Sequence, residues 1–236
     1  MTVQFIVFML GGYLLGSIPA AYLIAKWRRG IDIRGYGSGN VGASNVSAVV
    51  SKRWSIPVTI FDIGKGALAV WVAQQFDLEA YQQIAVGICT IIGHNWPLYL
   101  GFKGGRGVFT SLGVIFILSW KLGLIVLVVS YLFAPFRQLA FGVALALFAL
   151  PFLSWFLNQP MDIEDKLPIT LGFIVLSLLA LSRRLIHHRT ALSKSVHPVE
   201  LVFNRILFDR DIRNRKAWIT QNLTEEEVIE QSLDQD

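Results

Sequence analysis

Apolar residues fill positions 3–27 almost without a break, interrupted only by small residues, Gln4, Pro19 and Lys26. About 24 such residues, wound as a helix at 1.5 Å each, cross roughly 30 Å of hydrocarbon, and they are too many for one strand. Further apolar runs occupy 56–76, 84–102, 108–118, 122–136, 139–157 and 167–181. The pattern therefore predicts an all-α, polytopic membrane protein of about seven transmembrane helices. The 108–118 window makes only about 16 Å of helix, so it is expected to be extended by its neighbours or to enter part way.

Composition agrees, with 54% hydrophobic and 16% charged residues and a mean hydropathy of +0.54. So much apolar surface cannot be hidden in a small soluble core. The net charge of +5 does not signal nucleic acid, because the cations lie in connectors beside apolar spans. One set of connectors carries Arg28, Arg29, Arg34, Lys52, Arg53, Lys103, Arg106, Arg137, Arg183, Arg184 and Arg189. The alternating set holds Asp77, Glu79, Lys121, Asp162, Glu164, Asp165 and Lys166. The basic set is expected to be cytoplasmic, which puts the N terminus outside and the C terminus inside, with the first span a retained anchor. The lone Cys89 has no intrachain partner for a disulfide and reads as a packing residue.

The expected organisation is a membrane domain at 1–190 and a cytoplasmic tail at 191–236, basic to Lys216 and then acidic. Within the tail, Val199, Val202, Phe203, Ile206 and Leu207 fall at helical spacing between basic flanks. Such a helix suits either the membrane surface or plain solvent.

Polar groups in a lipid-embedded chain mark sites of use, and four stretches stand out. In "GSGNVGASN", Gly37, Gly39 and Gly42 allow backbone shapes that present N–H groups to an anion, and Ser38, Asn40, Ser44 and Asn45 add side-chain donors. The G-x-G-x-x-G spacing is not a dinucleotide fingerprint, since a membrane span and not a strand precedes it. In "DIGKG", Asp62 and Lys65 share one helix face; Asp62 reads as an ion-pair partner and Lys65 as a phosphate contact. In "GFKGGRGV", Lys103 and Arg106 are interleaved with Gly104, Gly105 and Gly107, a pattern that gathers positive charge and backbone donors on an oxyanion. Finally, "RRLIHHRT" places His187 and His188 at the exit of the last span, where one imidazole can serve as acid, base or donor. A plain helix cap for the first loop and a positive-inside signal for the third are the competing structural readings.

Taken together, "GSIPAAYLIA", "GSGNVGASNV", "DIGKG" and "GHNWPLYLGFKGGRGV", in this order, resemble the bacterial acyl-phosphate:glycerol-3-phosphate acyltransferase family, often called the PlsY family. The resemblance implies a seven-helix enzyme of the bacterial cytoplasmic membrane, with no cofactor and no metal. Such an enzyme moves an acyl chain from acyl phosphate to the 1-hydroxyl of glycerol 3-phosphate, giving lysophosphatidic acid and phosphate. Its partners are the two substrates, membrane lipid and an upstream enzyme that makes the acyl phosphate. It implies Ser38, Lys103 and His188 as catalytic groups, with Gly37, Gly39, Asn40, Gly42, Asn45, Lys65, Gly104, Gly105 and Arg106 around the phosphates. Three positions depart from the family pattern: Ala48 stands where an arginine is usual, Arg106 where a lysine is, and Ala191 where an asparagine is. A member that binds phosphate-bearing lipid precursors with impaired catalysis is therefore one alternative. An organic-phosphate transporter is another, although no internal repeat supports it.

Overall fold

The computed structural model describes residues 3–186, 193–194, 196–214 and 217–218; the expectations for His187, His188, Arg189, Ala191 and the acidic end of the tail fall outside these. Ten α-helices and two short 3-10 turns make up the regular structure among the described residues. They are α1 Val3–Gly16, α2 Ala20–Arg29, α3 Ala43–Val49, α4 Lys52–Gln75, α5 Ala80–Asn95, α6 Val108–Leu118, α7 Trp120–Leu132, α8 Leu139–Phe156, α9 Lys166–Leu185 and α10 Pro198–Phe208. Among the described residues, four segments are long and apolar enough to cross a membrane: Val3–Arg29, Lys52–Gln75, Leu139–Phe156 and Lys166–Leu185. The helices α6 and α7 are shorter and apolar.

The two largest differences between the predicted runs and the helices that form lie at prolines. The first run is split into α1 and α2 at Ser17–Pro19, because proline brings no N–H and its ring disturbs the preceding turn. The run at 84–102 ends as helix at Asn95, two residues before Pro97, since the residue ahead of a proline is pushed out of the helical region. A 3-10 turn at Leu98–Leu100 replaces the rest.

Between helices in lipid there is little hydrophobic force, so association depends on close packing. Small residues provide it here. A Cβ on Gly16 would overlap the Thr90 carbonyl and one on Gly93 the Tyr13 carbonyl, locking α1 to α5; Gly66 against Thr110 and Gly113 against Ile63 do the same for α4 and α6. The main core gathers Ile84, Ile91, Leu112, Ile115, Leu122, Leu147, Phe173 and Leu176. Large apolar side chains such as Ile60, Phe152, Leu171 and Leu178 face outward, as a lipid-solvated surface requires.

The connectors sort to two ends of the bundle. At one end, Lys121 pairs with Asp162 at 2.8 Å, Ser119 donates to the Met161 carbonyl and Gln4 reaches the Phe76 carbonyl. At the other, Arg34 donates to the Leu100 carbonyl, Arg183 to the carbonyls of Gly104 and Gly105, and Arg106 to Asp209. The tail helix α10 belongs to this second end, burying Leu201, Asn204 and Arg205 and leaving Val199, Val202 and Phe203 exposed.

Candidate active site

The first glycine loop is shaped by one side chain. Buried Asn45 accepts the Ser38 N–H at 3.0 Å and donates to the carbonyls of Ile33 and Tyr36 at 3.3 and 3.1 Å. Gly37 (φ 55°) and Gly39 (φ 67°) take the left-handed turns that few other residues adopt. A Cβ on Gly37 would also strike the Asn45 amide. Asn45 is thus spent on bracing, and the amide of Gly39 is used on the Tyr36 carbonyl. What the loop offers outward is the side chains of Ser38, Asn40 and Ser44, which with Gly42 line a cavity.

The second loop contributes differently from the sequence expectation. Gly104 and Gly105 allow contact with His94: a Cβ on Gly104 would meet the His94 carbonyl and Pro97, and one on Gly105 the His94 ring. The Gly105 N–H is bonded to the His94 carbonyl at 3.0 Å. Arg183, lying over the Trp96 ring at 4.9 Å, clamps the carbonyls of both glycines. Arg106 faces the cavity, whereas Lys103 is exposed and does not line it.

Lys65 is enclosed by its own protein. Its ammonium lies 2.8 Å from Asp62 Oδ1, 2.8 Å from His94 Nδ1 and 3.3 Å from the Ile18 carbonyl freed at the α1–α2 break. Hydrogen bonds to His94 and the Ile18 carbonyl and the ion pair with Asp62 thus surround the ammonium, and Lys65 does not line the cavity. With Nδ1 accepting from the ammonium, the ring proton of His94 belongs on Nε2. Asp62 and His94 line the cavity floor, so this buried cluster supports the site from beneath.

The cavity itself measures about 650 Å³. Its polar end holds Ser38, Asn40, Lys52, Arg106 and Arg184; its apolar wall is built by Phe109, Leu112 and Ile115 of α6, Val126 and Leu127 of α7, and Val143 and Leu147 of α8. Phe208, Asp209, Arg210 and Trp218 of the tail close one side. Burial raises the Asp209 carboxyl above its ordinary range, against the opposing pull of Arg106 and Arg184. Several lining residues carry no site signal in the sequence, among them Lys52 and Arg184, which read as orientation charges, and Asp209 and Trp218 of the tail. Asp209 had no motif around it; only its place after an amphipathic helix ending beside basic residues could have drawn notice.

A polar, cationic pocket continuous with an apolar groove, set in a bundle of lipid-facing helices, defines an integral membrane protein whose cavity is cationic at one end and apolar along its wall. The family model for glycerol-3-phosphate acyltransferase matches residues 6–197, and the chain belongs to this family. It is 46% identical over 222 residues to glycerol-3-phosphate acyltransferase 5 of Dehalococcoides mccartyi, covering 94% of this chain and 95% of that one. A glycerol-3-phosphate acyltransferase of Prochlorococcus marinus is 38% identical over 75% of this chain and 87% of its own. The crystal structure of PlsY, an integral membrane glycerol 3-phosphate acyltransferase, in its glycerol 3-phosphate form, superposes with a TM-score of 0.69 at 29% identity, covering 82% of this chain and 100% of that chain. Its lysophosphatidic acid form superposes at 0.67 and 30% identity, covering 77% and 88%. The family match ends at residue 197, just before α10.

Proposed function

We propose that this enzyme transfers an acyl group from acyl phosphate to the 1-hydroxyl of glycerol 3-phosphate, forming lysophosphatidic acid and phosphate. The observation that carries this reading is the continuity of the Arg106 end of the cavity with the groove between α6, α7 and α8. A phosphate-bearing head and an aliphatic chain need those two environments side by side. Family membership supports the acceptor, because the relatives are named for glycerol 3-phosphate.

The chemistry suits the residues. The 1-hydroxyl oxygen attacks the acyl carbon, the bond from that carbon to the phosphate oxygen breaks, and the hydroxyl proton leaves to a base or to the departing phosphate. A mixed anhydride already carries a good leaving group, so the protein must chiefly align two substrates and stabilise growing negative charge. Arg106 neutralises phosphate, while Ser38 and Asn40 donate hydrogen bonds at the same end of the cavity. Lys103 and His188 are the remaining candidates, the first on the loop rim and the second as general base just past α9. The groove receives the acyl chain from the surrounding lipid.

In the membrane, the chain crosses seven times, with the glycine loops, Arg137, the end of α9 and the tail all on the cytoplasmic side, where water-soluble glycerol 3-phosphate and a donor-producing enzyme are available. The gathering of the arginine-rich connectors at one end of the bundle supports this orientation, given the positive-inside rule. The test is to incubate the purified protein with radiolabelled glycerol 3-phosphate and an acyl phosphate. Labelled lysophosphatidic acid together with stoichiometric phosphate supports the reading; product from acyl thioesters alone, or none from either donor, refutes it.

A further inference from the structure

The tail places a carboxylate on the cation of the site. Asp209 Oδ2 lies 2.5 Å from Arg106 Nη1, and Asp209 Oδ1 is 3.9 Å from Arg184 Nε. Arg184 is buried at the end of α9 and uses Nη1 on the carbonyls of Ala140 and Ile206. Its Nε, like Asp209 Oδ1, is buried without a hydrogen-bond partner. The carboxylate therefore satisfies Arg106 and falls short of Arg184. A phosphate has three outer oxygens where a carboxylate has two, and a tetrahedral group seated between the two guanidiniums can accept from both.

The segment that carries Asp209 is firmly held. Arg205 grips Asp211 through two hydrogen bonds of 2.7 and 3.0 Å and donates to the Leu185 carbonyl, while Asn204 donates to the Asp211 carbonyl. Asp209 caps α10 in the left-handed conformation, φ 59° and ψ 38°. Its backbone is thus fixed and only its side chain need move: rotation about the Cα–Cβ bond takes the carboxylate off Arg106 without unseating α10.

We infer that Asp209 is a built-in competitor for phosphate at Arg106 and Arg184, so that the segment following α10 sets how tightly this enzyme holds its phosphate substrates. This rests on the acyl-transfer reading for its biological meaning but not for its chemistry. A site whose competent form is populated for only a fraction of the time binds with an affinity reduced by that fraction. Removing the competing charge raises the apparent affinity accordingly.

The test compares wild type with Asp209→Asn and Asp209→Gly, both of which tolerate the left-handed conformation. Inorganic phosphate is the probe, titrated against the full-length protein in detergent with the thermal midpoint as readout. Both variants are expected to bind phosphate at least about threefold more tightly than wild type, and the gain should vanish in an Arg106→Ala background. In the acyltransferase assay, KM for glycerol 3-phosphate should fall in parallel. Unchanged or weaker phosphate binding in both variants overturns the proposal, as does a gain that survives Arg106→Ala. A wild type that makes no lysophosphatidic acid refutes the acyl-transfer reading instead, and the phosphate titration still decides this one.

Discussion

Asn45 holds Ser38 in place: its side-chain oxygen accepts the Ser38 N–H at 3.0 Å, while its amide nitrogen bridges the carbonyls of Ile33 and Tyr36. One buried side chain thereby sets the curvature of the first glycine loop. Asn45→Ala leaves the Ser38 N–H without its partner, at about 1–3 kcal/mol if it stays buried, and takes one of two donors from the Ile33 and Tyr36 carbonyls, which keep the N–H groups of Tyr36 and Gly39. Turnover should fall by roughly tenfold or more with a lowered thermal midpoint. Asn45→Asp should do no better, because its carboxylate would face two carbonyl oxygens. Wild-type kinetics in both variants would show that the loop does not depend on this brace.

Arg106 and the side chains of Ser38 and Asn40 line the cavity. Alanine at each should reduce kcat/KM by at least about tenfold, or ~1.4 kcal/mol of transition-state stabilisation. Lys103→Ala should cost less than Arg106→Ala, since Lys103 is exposed outside the lining. Arg106→Lys should retain part of the activity, an ammonium supplying charge without the planar fork. Initial rates for the five variants, with membrane expression checked, decide the ranking; a larger loss at Lys103 would move the phosphate site to the loop rim.

The groove makes a steric prediction. Leu147 of α8 and Val126 of α7 are buried along its wall, and tryptophan at either position should shift the donor preference towards shorter acyl chains. Competition among acyl phosphates of graded length, read by mass spectrometry of the lysophosphatidic acids, is the check. An unchanged chain-length profile in both variants would place the acyl chain elsewhere.

Much of this was legible in the chain. Long apolar runs declare themselves, and proline positions account for the two largest differences between run and helix. Spacing alone paired Asp62 with Lys65. What spacing could not convey is that His94 and the Ile18 carbonyl, distant in sequence, complete the surroundings of that ammonium, so a cation that looked available for substrate is enclosed by its own protein. In the same way, Gly104 and Gly105 looked like an anion cradle, yet the first makes room for the His94 carbonyl and Pro97 and the second for the His94 ring. Asp209 was beyond reach, because its partner Arg106 lies 103 residues away.

The buried Asp62–Lys65 pair carries its own prediction. Lys65→Met leaves an uncompensated carboxylate inside the bundle and should cost about 3–5 kcal/mol, whereas Asp62→Leu combined with Lys65→Met should recover most of the loss. Thermal midpoints of the single and double variants in detergent measure this. Equal destabilisation in both would mean that the charges are not coupled.

The central claim is that one cavity holds the phosphate at Arg106 and the acyl chain between α6, α7 and α8. A crystal structure of this chain with lysophosphatidic acid bound tests it most directly. The account predicts phosphate density within hydrogen-bond distance of Arg106, with the Asp209 carboxylate displaced and the chain running past Leu112, Val126 and Leu147. Phosphate held by Lys103 on the outer face of the loop, or a chain lying outside this groove, would contradict it.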